Sequence, residues 1–140
     1  MEASSPARLY ASLFGLVLTF VGIVGFFYEA SFDSGEAVPS DDVIGVFAVN
    51  GWHNVVHLVA GLVGLAAAGS LAASRVYALA FGAVYTLISI WGFAIGGGET
   101  ILGLVIVNTE DNFLHLAIGL VGLAAGAASR GEPREPARRR

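Results

Sequence analysis

The stretch VNGWHNVVHLVAGLVGL, residues 49–65, returns as VNTEDNFLHLAIGLVGL at residues 107–123. At an offset of 58, residues 43–68 and 101–126 are identical at thirteen of twenty-six positions, keeping Gly45/Gly103, Asn50/Asn108, Asn54/Asn112, His57/His115, Gly61/Gly119 and Gly64/Gly122. At an offset of 67, residues 8–26 match 75–93 at ten of nineteen positions, among them Tyr10/Tyr77, Gly15/Gly82, Thr19/Thr86 and Gly25/Gly92. A unit of two apolar segments is therefore written twice, as repeat one (residues 8–73) and repeat two (residues 75–129). The change of offset leaves nine more residues in the first unit's internal connection, and five of the eleven acids fall there.

The repeated segments are built for lipid. Four stretches, 9–28, 54–74, 76–98 and 112–129, contain no Asp, Glu, Lys or Arg. Each has about the length that crosses a hydrocarbon layer of roughly 30 Å, which takes about 20 helical residues. With 56% hydrophobic and only 13% charged residues, the chain cannot cover an aqueous surface. No alternation of polar and apolar residues marks these stretches as barrel strands, so helices are the expectation, since they satisfy every backbone group internally. The predicted fold is an all-α membrane protein with four transmembrane helices over residues 1–129. Its two tandem two-helix repeats are expected to be related by a pseudo-two-fold axis along the membrane normal. The nineteen glycines suit close helix approach. The first apolar stretch is longer than a signal-peptide core and has a copy in mid-chain, so it is read as a helix.

Charge sets the expected orientation. The seven arginines (Arg8, Arg75, Arg130, Arg134, Arg138, Arg139 and Arg140) lie in the N-terminus, the middle loop and the tail. Eight of the eleven acids (Glu29, Asp33, Glu36, Asp41, Asp42, Glu99, Glu110 and Asp111) lie in the two other connections. The positive-inside rule places both termini in the cytoplasm. Residues 130–140 read as a disordered basic tail. Beside a membrane, this tail is expected to meet anionic lipid rather than nucleic acid.

Asn50 and Asn108 are expected N-caps, with Asp111 able to close a capping box in the second copy. The segments before them, 43–49 and 101–107, are apolar but too short to span, and are expected to be interfacial or re-entrant pieces. Below the caps, Asn54, His57, Gly61 and Gly64, with their copies Asn112, His115, Gly119 and Gly122, fall three and four residues apart on one helical face. The plainest expectation is that glycines allow close crossing while Asn and His bridge helices two and four through hydrogen bonds. Two cofactor readings compete with it. His57 and His115 are the axial pair of a candidate haem site that also takes in Asn54 and Asn112, with Phe47, Trp52 and Phe113 placed to flank the ring. Alternatively, His53, His57, Asp111 and His115 form a candidate site for zinc or a similar divalent ion, because His53 and His57 are spaced i, i+4 and the matching pair is Asp111 and His115.

The V-N-x-x-x-N-x-x-H-L-x-x-G-L-x-G-L pattern, present twice, resembles that of a bacterial family of four-helix membrane proteins, common in actinobacteria, known only as a domain of unknown function. The resemblance covers nearly the whole chain. It implies a multi-pass protein of the bacterial cytoplasmic membrane and carries no activity with it. Hydrolytic or transfer chemistry has little support, because no acid lies inside a span and no serine has a nucleophile-elbow context. With no cysteine, disulfides and thiolate sites are excluded. The functional expectation is a non-enzymatic structural, accessory or assembly component, associated with the bilayer and with other membrane subunits. The alternative is a haem or metal carrier.

Overall fold

The structure, a computed structural model, describes residues 5–35 and 38–129. The basic tail lies outside the described residues. Four helices carry the fold: α1 Pro6–Gly25, α2 Gly51–Ala67, α3 Leu71–Ile95 and α4 Thr109–Ala128. Three of them, α1, α3 and α4, are long and apolar enough to cross a membrane, while α2 is an apolar helix of 17 residues. Their outward faces are large and apolar, with Leu16, Phe20, Leu87, Ile90 and Leu120 each more than half exposed. A surface of that kind is stable against lipid and unstable against water.

Helix ends follow local chemistry. Ser5, Asn50, Ser70 and Asn108 cap the four N-termini, each side chain accepting the backbone N–H three residues on. Pro6 sits where its missing N–H costs nothing. The turn between α2 and α3 is only Ala68–Ser70, so Arg75, expected in the middle loop, is instead inside α3. The reason is the Ser70 cap, reinforced by Ser74 Oγ donating to the Ala67 carbonyl at 2.9 Å. Both arginines of this end finish a neighbouring helix. Arg8 Nε donates to the Ala68 carbonyl at the end of α2, and Arg75 Nε to the Gly126 carbonyl near the end of α4. A guanidinium there also complements the negative end of the helix dipole.

At the opposite end the fold departs from an all-α expectation. Residues 43–49 and 101–107 belong to two antiparallel hairpins, β1 Asp41–Val43 with β2 Phe47–Val49, and β3 Glu99–Ile101 with β4 Val105–Val107. The cause is backbone conformation at the repeated glycine. Ile44 and Gly45 have φ of 52° and 71°, and Leu102 and Gly103 have 57° and 69°. Positive φ at two successive turn residues matches the twist of a hairpin, and glycine takes one of the two positions without strain. The turn tips are apolar and open, with Ile44 72% and Leu102 73% exposed.

Within each repeat the two helices touch backbone to backbone. A Cβ on Gly22 of α1 would fall 2.7 Å from Leu58 N in α2, and one on Gly82 of α3 would fall 2.7 Å from Leu123 N in α4. Thr19 and Thr86 direct their hydroxyls to the Gly15 and Gly82 carbonyls of their own helices, and their backbones cover Gly61 and Gly119. At the centre of the bundle, tyrosines tie the two repeats. Tyr10 Oη of α1 donates to the Ile118 carbonyl of α4 at 3.0 Å, and Tyr77 Oη of α3 to the Ala60 carbonyl of α2 at 3.1 Å. Those rings rest on Gly122 and Gly64, and with Phe81 and Tyr85 they fill the centre of the bundle.

Candidate metal centre

His53 and His57 occupy the first two turns of α2, and His115 the second turn of α4. The i, i+4 spacing stacks the two α2 rings on one face, 4.4 Å apart. His115 approaches from α4, with its ring centroid 5.7 Å from that of His53 and 6.1 Å from that of His57. Each imidazole offers one ligand nitrogen such that all three lie within 4.8 Å of one another. The three side chains are 1%, 7% and 4% exposed. Among the described residues, the Nδ1 atoms of all three have no hydrogen-bond partner.

That last fact decides what the arrangement can do. A buried nitrogen left unpaired costs about 1–3 kcal/mol, so three in one pocket are a concentrated penalty unless something binds there. The backbone of Ala48 in β2 and of Ile106 in β4 lies close to the His53 ring. An imidazole that donates its Nε2–H to carbonyls presents a bare Nδ1 lone pair, which is how outer partners orient a metal-ligating histidine. Closing a tetrahedral or trigonal ion with bonds of about 2.0–2.1 Å would bring the nitrogens to about 3.3–3.6 Å apart.

The remaining predicted site residues are placed elsewhere. Asp111 Oδ2 accepts from the backbone N–H of Asn108, closing the capping box, and from that of Ala48 in β2, both at 3.1 Å. It is the helix cap and a latch to the other hairpin, and it is not among the converging ligand groups. Asn54 and Asn112 do not bridge α2 to α4 as expected. Their carboxamides lie against Gly25 of α1 and Gly92 of α3, where any Cβ would overlap the Asn oxygen. The lack of a side chain on the facing helix of the same repeat makes the room. Asn54 Nδ2 donates to the Glu29 carbonyl at 2.8 Å, while Ser89 Oγ donates to the Asn112 carbonyl at 2.7 Å. The axial pair expected for haem is crowded by other rings: that of His53 lies 4.4 Å from that of His57 and 5.7 Å from that of His115, and that of Tyr85 lies 4.9 Å from that of His115.

A lid of backbone covers the cluster. Asn50 Nδ2, at the start of α2, donates to the Leu104 carbonyl in the turn of the second hairpin, and Asn108 Nδ2, at the start of α4, to the Val46 carbonyl in the first, both at 2.6 Å. Gly35 N–H donates to the Gly103 carbonyl at 2.9 Å and strings the long connection across the same lid. Sequence reasoning missed Tyr85 as a neighbour of the site. Its signal was a tyrosine where the first repeat has Leu18.

The family described as "Domain of unknown function (DUF4383)" matches residues 8–128, which takes in all four helices and both hairpins. The chain belongs to this family. The matched region begins at Arg8 and ends at Ala128, so the histidine cluster and its lid fall within it. No curated protein and no solved structure matches the chain.

Proposed function

We propose that this member of the DUF4383 family is a four-crossing protein of the bacterial cytoplasmic membrane that holds one transition-metal ion between its two repeats. The single observation carrying the metal reading is the convergence of three buried imidazoles whose Nδ1 atoms have no partner. Unpartnered Nδ1 atoms favour a bound ion over histidines that act only as interhelical hydrogen-bond glue. Without a carboxylate or serine positioned for proton or acyl transfer beside the cluster among the described residues, the reading is non-enzymatic: a metal-bearing accessory or assembly component. Paired repeats support a pseudo-two-fold arrangement, since Asn50/Asn108, Gly25/Gly92 and Tyr10/Tyr77 make matching contacts.

The test is direct. Purified protein loaded with metal and freed of excess should carry about one ion per chain by elemental analysis. His53→Ala, His57→Ala and His115→Ala should each lower this to a few per cent, and Asp111→Asn should leave it unchanged. Equal metal content in wild type and all three histidine variants would overturn the proposal.

Orientation follows from charge. Arg8 and Arg75 lie at one end of the bundle, and Glu29, Asp33, Asp41, Asp42, Glu99 and Glu110 at or beyond the hairpin end. By the positive-inside rule the arginine end is cytoplasmic and the hairpin lid faces outward, its Ile44 and Leu102 tips in the interface. The acids above the lid would concentrate cations near the site. A reporter fused after Arg140 should be active only as a cytoplasmic marker and one inserted near Glu36 only as an external one. The reverse pattern would refute the orientation.

A further inference from the structure

The donor set carries information about the ion's charge. Resting on the metal reading above, we infer that the trihistidine centre is a site for monovalent copper, Cu(I), in three-coordinate form, in preference to a divalent ion such as Zn(II). All three converging donors are neutral, and of the two carboxylates close in sequence Glu110 is exposed and Asp111 has Oδ2 committed to two backbone N–H groups. The cost of transferring an ion out of water grows with the square of its charge, so a dication bears about four times the desolvation penalty of a monocation of similar size. Three neutral imidazoles leave that charge uncompensated. The N-termini of α2 and α4 add their positive dipole ends beside the cluster, His53 being the third residue of α2.

Coordination number points the same way. Zinc with three protein ligands keeps a fourth position for water. Here the Tyr85 ring packs 4.9 Å from that of His115, and the three ligands are each at least nine-tenths buried. A filled-shell monovalent ion is satisfied by three nitrogen donors in a plane and needs no fourth. Among the described residues, Tyr85 is the nearby group that could neutralise a dication as a fourth ligand, by binding as phenolate. That gives the alternative a residue of its own.

The experiment uses the intact protein in detergent under reductant. Cu(I) is delivered as a competing chelator complex, and Zn(II) and Co(II) are titrated in parallel, on wild type and on Tyr85→Phe, His57→Ala and His57→Gln. The expected result is one Cu(I) per chain, at least 100-fold weaker Zn(II) and Co(II), loss of Cu(I) in both His57 variants, and no change in Tyr85→Phe. X-ray absorption on the wild-type complex, which needs no variant to fold, should show three nitrogen scatterers and no fourth ligand. Zn(II) or Co(II) binding through the histidines as tightly as Cu(I), or dependence on Tyr85, would overturn the copper assignment while leaving the metal centre standing. Absence of histidine-dependent binding for all three ions would overturn both.

Discussion

Gly61→Leu and Gly119→Leu should abolish the folded state or lower its melting temperature in detergent by on the order of 10 °C or more. A Cβ on Gly61 would overlap both the backbone nitrogen and the hydroxyl of Thr19, and on Gly119 would reach 2.5 Å from Thr86 Oγ1 and 2.7 Å from its backbone nitrogen. The obstructing atoms are main chain of a facing helix, so relief requires the helices themselves to part. Core overpacking ordinarily costs about 1–3 kcal/mol, and separating a backbone-to-backbone crossing belongs at or beyond the upper end. Gly64→Leu and Gly122→Leu should be milder, since the first atoms met are the Tyr77 and Tyr10 hydroxyls, although those tyrosines tie the repeats together. Gly69→Ala is the control, because a Cβ there meets nothing within 4 Å. Melting curves for the five variants that fail to separate into these classes would mean the helices do not cross where described.

Asp111→Ala should destabilise the protein by about 2–4 kcal/mol. It removes a capping interaction, about 1 kcal/mol, and strands the buried N–H of Ala48, a further 1–3 kcal/mol. Asp111→Asn should recover most of the loss, since an amide oxygen still accepts. Metal content measured alongside distinguishes latch from ligand: the Asn variant is expected to hold its ion fully. Loss of metal in Asp111→Asn at unchanged melting temperature would make the carboxylate a ligand after all.

Much of this was visible in the residues. The N-caps at Asn50 and Asn108, the capping box and the glycine face are local patterns, and local patterns survive folding. His57 and His115 stood out as intramembrane ionisable groups. What could not be read was partnership. The glycines at positions 25 and 92, 29 and 20 residues before their asparagines, decide that Asn54 and Asn112 face α1 and α3 instead of each other. Asp111 aligns with His53 in the repeat, which suggested a shared duty as ligands, yet the Ala48 N–H of the other hairpin, which donates to it, gives it a different one. The hairpins were hidden because seven-residue apolar runs lack the alternation that marks a half-buried strand. The glycine at the middle of both copies was the one available sign. Arg75 looked like a loop residue only because charge was used to end a span, whereas Ser70 and Ser74 start the helix earlier.

The crossing of the two lid bonds bears on the order of assembly. Residues 41–50 leave the ribosome before residues 99–111 exist, so when the first half of the chain reaches the membrane Asn50 has no Leu104 carbonyl to meet and the Ala48 N–H has no Asp111. The first half therefore waits in an incomplete state, with His53 and His57 already on one face and their cover unfinished. Closure comes only when the second hairpin and the start of α4 arrive and supply His115, the two acceptors and Asn108 together, so that an ion captured at the site would be enclosed only once the second repeat is made.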